Sequence, residues 1–127
     1  MEKFKHEELT DKIIKAFYTV YNKLGYGFLE QVYENALILE LKKVGLFADN
    51  QVKINVYYEG EKVGDYYADL LVDGLIIIKL KACDGVIEQH EAQLLNYLRA
   101  TDIEVGLLLN FGKSPQVKRK AFSNQYK

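Results

Sequence analysis

The chain has 127 residues and a formal net charge of −1 at pH 7, with 49% hydrophobic residues and ten tyrosines. This length supports one domain with a proper core but not two, and the hydrophobic content excludes a disordered tail. A charge so close to zero argues against a protein that coats nucleic acid by bulk electrostatics, so any contact with phosphate would have to be local.

Cysteine content and the N-terminal segment bear on the cellular setting. The single cysteine, Cys83, excludes an internal disulfide and a zinc cluster. The segment MEKFKHEELT lacks the apolar core of a signal peptide, and the longest apolar run, LIII, is too short to span a membrane. We therefore expect a cytoplasmic protein with no membrane partner.

The chain begins with a predicted helix. Thr10 is its candidate N-cap, with Leu9 and Ile14 forming a hydrophobic staple. Apolar residues then recur at helical spacing until Gly25 or Gly27 ends the run. These residues are Ile13, Phe17, Val20 and Leu24.

Two further helices are predicted from the same periodicity. The segment GFLEQVYENALILELKKVGL ends at Gly45 and would direct four residues inward, namely Leu29, Val32, Ala36 and Leu37. The later segment, VIEQHEAQLLNYLRATD, has a buried stripe formed by Leu94, Leu95 and Leu98.

Strand signals fill most of the remaining chain. The β-branched and aromatic run over residues 51–82 is interrupted at Glu59-Gly60 and Asp73-Gly74, which predicts three antiparallel strands. EVGLLLNF is typical of a strand inside a sheet, and the tail, residues 114–127, either adds an edge strand or stays partly loose. The order α-α-β-β-β-α-β predicts an α/β (α+β) fold, a mixed four- or five-stranded sheet flanked by helices, as a single domain over residues 1–127.

Three charges interrupt the apolar hairpin ADLLVDGLIIIKLKACDG. Lys79 and Lys81 share one face of their strand because side chains alternate. A tight turn at Asp73-Gly74 places Asp69 almost opposite positions 78 and 79, and a turn with a glycine bulge pairs it with position 79 directly. Asp69 and the two lysines are therefore predicted to converge. The alternative is that the lysines protect an exposed edge strand from aggregation.

Two polar stripes at helical spacing accompany this hairpin. One lies on the third helix and contains His90, Gln93 and Tyr97. The other lies at the start of the second helix and contains Gly27, Glu30 and Tyr33.

The segment GFLEQVY resembles the pattern that names the GxxExxY proteins, through Gly27, Glu30 and Tyr33. The likeness extends through YADLLVDGLIIIKLKA and HEAQLLNYLRATDIEVGLLLNFG, and QLLNY is similar to the Gln-x-x-x-Tyr element of recombination exonucleases. The resemblance implies the PD-(D/E)xK nuclease-like superfamily with a restriction-endonuclease-like core. It implies a hydrolase, a phosphodiesterase that binds DNA or RNA and uses Mg²⁺ or Mn²⁺.

The resemblance also implies roles for individual residues. Asp69 and a Glu two residues before Lys81 would hold the metal, which lowers the pKa of a bound water, while Lys81 orients that water or the phosphate. Glu30 could complete the metal shell, and Gln93 and Tyr97 would position the phosphate backbone or the lysine.

One position departs from the family pattern. Lys79 occupies the place of the motif Glu, which changes the local charge by two units, from −1 to +1. Like charges about 4 Å apart repel by several kcal/mol at an effective dielectric near 20, so Lys79 and Mg²⁺ should exclude one another. We therefore expect a degenerate metal site, a pseudoenzyme that keeps a binding or structural role.

Two alternatives stay open. One is an active nuclease in which Glu30, Glu88 or Glu91 replaces the lost acid. The other is a partner-binding module or a homo-oligomer whose interface uses Tyr57-Tyr58 and Tyr66-Tyr67, although these tyrosines also suit strand packing.

A basic C-terminal segment is a further candidate for phosphate contacts or a solvated tail. Its residues are Lys113, Lys118, Arg119 and Lys120.

Overall fold

The computed structural model describes residues 4–127, so the first three residues of the predicted domain lie outside the described part. Its elements are α1 (Glu7–Leu24), α2 (Glu30–Lys43), β1 (Ala48–Tyr58), β2 (Glu61–Val72), β3 (Ile76–Lys81), α3 (Glu88–Arg99), β4 (Val105–Asn110), β5 (Gln116–Ala121) and a short 3-10 helix (Asn124–Tyr126). The predicted α/β order is confirmed, and the tail forms a fifth strand. Among the described residues, no helix combines the length and apolar character needed to cross a membrane.

The five strands form one mixed sheet in the order β1-β2-β3-β4-β5. The pair β3–β4 is parallel and the other pairs are antiparallel. Both predicted turns are present, and their residues Glu59, Gly60, Asp73 and Gly74 have positive φ angles as tight hairpin turns require. Strand β3 lies in the middle of the sheet, yet β2 pairs only with its residues 76–78, so Lys79 and Lys81 lie beyond that pairing. The Lys79 side chain is only 16% exposed and is paired with Asp69, which does not fit a lysine that protects an exposed edge.

Helices cover both faces of the sheet. On one face, α1 and α2 pack over a large apolar cluster to which β3 contributes Ile76, Ile78 and Leu80. On the other face, α3 packs over a smaller cluster that includes Ile77, Leu94 and other buried residues. Alternation along β3 therefore sends Lys79 and Lys81, which share the parity of Ile77, to the α3 side.

Helix α1 begins earlier than predicted. The first turn starts at Glu7, and the backbone N–H of Thr10 donates to the carbonyl of His6 at 2.9 Å. Thr10 is a buried residue inside the helix, where its Oγ1 donates to the Glu7 carbonyl at 3.0 Å. The predicted N-cap and hydrophobic staple are wrong, because Glu7 and Glu8 extend the helix by one turn and complement its dipole.

Helix α2 buries part of the predicted face, since Leu37 is fully buried and Ala36 packs against the large apolar cluster. Leu29 is 80% exposed and Val32 is also exposed, so the expectation that both point inward is wrong. The buried stripe follows the spacing of four residues and consists of Tyr33, Leu37 and Leu41. Leu29 is exposed because it is the N-cap residue, before the first helical turn, and therefore does not join the buried stripe.

The β1–β2 hairpin extends beyond the rest of the sheet. Strand β2 pairs with β3 only over Leu70–Val72, whereas its pairing with β1 continues from Val72 back to Glu61. From Asp69 to the turn, β1 and β2 therefore form a two-stranded ribbon. We call the point where β2 separates from β3 the fork.

Candidate functional site

Asp69 lies at the fork. Its Oδ2 accepts a hydrogen bond from the backbone N–H of Leu80 at 2.6 Å, so the carboxylate takes the place of the departing strand. The register sets Leu70 opposite Ile78 and, continued by one residue, sets Asp69 opposite Lys79. This is the second of the two pairings that the sequence predicted. The carboxylate is thus fixed by the backbone of β3.

Lys79 forms an ion pair with Asp69. Its Nζ lies 3.7 Å from Asp69 Oδ2, and the two side chains are only 16% and 15% exposed. At this burial both charges have lost most of their water, so each depends on the other for stabilisation. The predicted convergence of Asp69 and Lys79 is therefore present, and the ammonium group lies beside the same oxygen, Oδ2, that accepts from the Leu80 N–H.

Lys81 follows on the same face of β3 and is half-buried. Within residues 4–127, its amine has neither a hydrogen-bond acceptor nor an acidic partner, while its carbonyl accepts from the Phe111 N–H at 2.8 Å. Lys79 therefore contacts Asp69 at the fork, whereas Lys81 lies two residues farther along the same face, and no contact within residues 4–127 joins its amine to Asp69.

Tyr97 of α3 lies close to this charge cluster. The residue is 4% exposed, and its ring centroid lies 5.6 Å from that of Tyr66. Burial raises the pKa of the Tyr97 hydroxyl, and the negative charge of Asp69 raises it further. The hydroxyl therefore stays protonated at neutral pH and can donate a hydrogen bond.

A cleft of about 720 Å³ lies between the β1–β2 ribbon and α3. Gln93 and Tyr97 both line it, so the structure brings these two predicted site residues to one surface. The sequence analysis did not identify the remaining lining residues as a site, although Tyr57 and Tyr66 belong to the noted tyrosine pairs. The lining consists of Asn55, Val56, Tyr57, Tyr66, Gln89, Ala92, Gln93, Asn96, Tyr97, Arg99 and Ala100.

The Gly27–Glu30–Tyr33 stripe lies elsewhere. Tyr33 is fully buried, its hydroxyl donates to the Gly25 carbonyl at 2.6 Å, and its ring stacks on Phe111 at a centroid distance of 4.3 Å. Gly27 has a φ of +110°, which only glycine adopts without strain. Glu30 is exposed at the start of α2, and no hydrogen bond or ion pair within the described residues joins it to Asp69.

The other two candidate acids are not gathered at the fork either. Glu91 forms an ion pair with Lys120 of β5 at 2.8 Å, and the hydrogen bond from Lys120 lowers the pKa of Glu91. Because strands β3 and β4 lie between β5 and β2, this ion pair holds Glu91 toward the far side of the sheet from Asp69. Glu88 is exposed at the start of α3.

The donor set at the fork does not suit a divalent metal. Across residues 4–127, no three His, Cys, Asp or Glu side chains lie close enough together to hold a metal ion. Mg²⁺ needs oxygen ligands, and at the fork the Asp69 carboxylate is shared with the Lys79 ammonium and the Leu80 N–H. The residues present therefore do not fit the Mg²⁺ or Mn²⁺ that the superfamily uses.

Part of the basic C-terminal segment is committed to contacts within the protein. Arg119 donates to the Lys5 carbonyl, and its guanidinium lies 5.1 Å from the centroid of the Phe4 ring. Lys120 is paired with Glu91 as described above. Lys113 and Lys118 are exposed.

His90, from the polar stripe on α3, caps that helix. Its Nδ1 accepts a hydrogen bond from the Ile87 N–H at 3.3 Å.

Comparisons with known proteins identify the superfamily and the fold of the chain. Residues 7–121 match the family model of the PD-(D/E)XK nuclease superfamily. The chain is similar to the solved structure titled "Crystal structure of SSO0001", with a TM-score of 0.55 and 19% identity, over 93% of this chain and 60% of that chain. The chain thus spans about 60% of the length of that protein, and the likeness shows a shared fold. None of the curated proteins matches the chain.

Proposed function

Because the chain belongs to the PD-(D/E)XK nuclease superfamily, we propose that it is a nucleic-acid-binding domain whose former catalytic centre holds no metal. The spacing of Gly27, Glu30 and Tyr33 favours a place in the GxxExxY group of that superfamily. The partner is DNA or RNA, bound at the α3 side of the sheet, and the setting is the cytoplasm.

The contact between Lys79 and Asp69 carries this proposal. Its 3.7 Å separation and the low exposure of both side chains put a positive charge where a metal would share the carboxylate. A metal would have to displace the buried ammonium group, and like charges at such a distance repel strongly. Without a metal, no bound water becomes a nucleophile near neutral pH, and the charge on the scissile phosphate is not offset.

The same residues suit phosphate binding. Lys79 and Lys81 together outweigh Asp69, so the fork has a net positive charge on a chain whose overall charge is −1. Lys81 offers an unpaired ammonium group, which acts on phosphate as a point charge. The protonated Tyr97 hydroxyl adds a neutral donor nearby. Binding would therefore be local, in keeping with the low overall charge.

The alternative of an active Mg²⁺-dependent nuclease has less support. It requires Glu30, Glu88 or Glu91 to approach Asp69, but Glu91 is paired with Lys120 and Glu30 lies on the helix that covers the opposite face.

A partner-binding or self-associating role is favoured by a separate observation. Tyr57, Tyr58, Tyr66 and Tyr67 are between 48% and 66% exposed on the β1–β2 ribbon, more than strand packing needs. A defined oligomer in light scattering, without salt-dependent nucleic-acid binding, would favour this role over the first.

The test combines binding with cleavage. Single-stranded and duplex DNA and RNA, labelled with fluorescein, are titrated with the protein at several salt concentrations, and cleavage is followed with Mn²⁺ present. We expect salt-dependent binding without cleavage. Lys81→Ala should lower the slope of log K against log salt by about 1, as loss of one phosphate contact does. The matched control is Lys42→Ala, an exposed lysine of α2 on the opposite side of the sheet.

Two results would contradict the proposal. Cleavage that disappears in Asp69→Asn would establish an active nuclease. Absence of salt-dependent binding to every probe would remove the nucleic-acid role.

A further inference from the structure

We propose that the cleft between the β1–β2 ribbon and α3 binds an unpaired nucleobase, so that the partner of this domain is single-stranded nucleic acid. The inference rests on the proposed function, in which the neighbouring fork holds a phosphate. It adds the class of nucleic acid and a second group of binding residues.

Aromatic rings line the cleft on the ribbon side and at its base. Tyr57 is 61% exposed and Tyr66 is 48% exposed, while Tyr97 is almost fully buried beside Tyr66. Among the described residues, the exposed ring of Tyr57 has no aromatic partner and so offers a flat apolar face to a ligand. Stacking on such faces is how proteins bind bases without regard to sequence, because every base has a π-face.

Amide side chains supply polar contacts around these rings. Asn55, Gln89, Gln93 and Asn96 line the same cleft, and each amide offers both donors and an acceptor. The buried Oδ1 of Asn55 has no hydrogen-bond partner among the described residues. A ligand that donates a hydrogen bond to this oxygen would satisfy it. The edge of a nucleobase carries donors and acceptors that complement this set.

The charge of the cleft suits a nucleotide. Its lining contains no acidic residue, and its one charged residue is Arg99, which lies 5.7 Å from the centroid of the Phe122 ring. A neutral base could enter without meeting a carboxylate, and the attached phosphate would remain beside positive charge.

Tyr97 connects the cleft to the fork. It lines the cleft, and it belongs to the same buried apolar cluster as Ala68, the residue before Asp69, and Ile77 of β3. A strand that placed a base in the cleft would therefore bring a phosphate near Lys81. Within a duplex the faces of a base are stacked and its pairing edge is occupied, so this mode of binding requires an unpaired base.

The test compares two neighbouring tyrosines. Tyr57 lines the cleft, whereas Tyr58 is 66% exposed on the same strand and is not part of the lining. Fluorescence anisotropy is measured with fluorescein-labelled oligodeoxythymidine, oligouridine and a DNA duplex of equal length. We expect tighter binding of the single strands, and Tyr57→Ala should weaken that binding roughly 5- to 150-fold, as loss of one base–aromatic stack does.

Two further variants test whether the loss of affinity comes from removal of the Tyr57 ring. Tyr58→Ala should bind as the unmodified chain does, and Tyr57→Phe should retain most of the affinity because the ring is kept. The ratio of affinities for oligodeoxythymidine and oligouridine tells DNA from RNA as the preferred source of the base. Circular dichroism establishes that the variants are folded.

The outcomes separate the two proposals. If duplex and single strands bind equally, or if Tyr57→Ala and Tyr58→Ala behave alike while Lys81→Ala still lowers the salt dependence, the cleft proposal is wrong and the proposed function stands. If no probe binds in a salt-dependent manner, the proposed function itself fails.

Discussion

The two motifs that the sequence analysis singled out lie on opposite faces of the sheet and differ in how deeply they are buried. On the α1–α2 side, the Gly27–Glu30–Tyr33 stripe serves the fold, since Tyr33 is fully buried on Phe111 and bonded to the Gly25 carbonyl. On the α3 side, Asp69 and Lys79 form a partly exposed ion pair next to an open cleft. One side therefore contributes to stability, while the other side combines a charge pair with an open cleft, where we propose that a ligand binds.

This difference explains why a lysine is tolerated at the centre of the sheet. Lys79 belongs to the face with the smaller apolar cluster, where Asp69 supplies a counter-charge and solvent is partly accessible. The large cluster beneath α1 and α2 receives only apolar side chains from β3. The change in chemistry at the fork therefore leaves the main core unaltered.

The largest expected effect lies on the α1–α2 side. Tyr33→Ala removes a fully buried ring from its stack on Phe111 and should lower the free energy of unfolding by about 3–5 kcal/mol in urea titrations. Tyr33→Phe keeps the ring but leaves the Gly25 carbonyl without its donor, at a cost of about 1–3 kcal/mol. The control is Tyr26→Ala, which removes a 57% exposed ring and should change stability by less than about 0.5 kcal/mol. Equal losses for Tyr33→Ala and Tyr26→Ala would contradict the structural role of this stripe.

A smaller effect is expected at the fork. Asp69→Asn and Lys79→Met each leave one buried charge without its partner, which costs ~3–5 kcal/mol in a fully buried pair. The remaining exposure of 15% and 16% should reduce the loss, and the double variant should lose much less than the sum of the two singles. Urea unfolding of the four proteins measures this coupling. Additive losses would mean that the two charges do not interact.

The smallest effect concerns a residue outside both regions. Hydrogen bonds from Lys5 and from the Asn124 backbone lower the pKa of Glu104 from 4.5 to about 2. Because the folded state favours the ionised form, this stabilisation is present above pH 4.5 and is lost as the pH falls toward 2. In urea titrations at a series of pH values, the free energy of unfolding of Glu104→Gln should therefore change less between pH 4.5 and 2 than that of the unmodified chain.

The matched control for this prediction is Glu61→Gln, an exposed residue beside the β1–β2 turn, which should leave that dependence on pH unchanged. If the free energy of unfolding fell equally steeply below pH 4.5 in the unmodified chain and in Glu104→Gln, the contacts of Glu104 with Lys5 and Asn124 would not have the assigned effect.

The sequence predicted features that depend on local pattern. The two hairpin turns, the buried strand β4 and the convergence of Asp69 with Lys79 follow from turn residues and alternation, and the structure confirms them. The start of α1 was missed because Thr10 is a good cap in isolation, while the acidic first turn lies before it. The buried face of α2 was predicted only in part: Leu37 is buried as expected, but Tyr33 was assigned to a polar stripe because its hydroxyl contact with the Gly25 carbonyl has no signal in the sequence.

The cleft depends on a feature with no local signal. It exists because β2 leaves β3 at Asp69 and the ribbon then passes over α3. Nothing in the run KVGDYYADL distinguishes a ribbon from a strand that stays paired on both sides. The exposed tyrosine pairs were noted, but their relation to Gln93 and Tyr97 required the tertiary arrangement.

Metal binding at the fork tests the central claim most directly. Calorimetric titration of the unmodified chain with Mn²⁺ and with Mg²⁺ should give no specific binding. The reason is that Asp69 Oδ2 already accepts a hydrogen bond from the Leu80 N–H and lies 3.7 Å from the Lys79 ammonium. Lys79→Glu places a second carboxylate opposite Asp69 and should create a site with a measurable binding heat. Stoichiometric binding by the unmodified chain that is lost in Asp69→Asn would contradict the account.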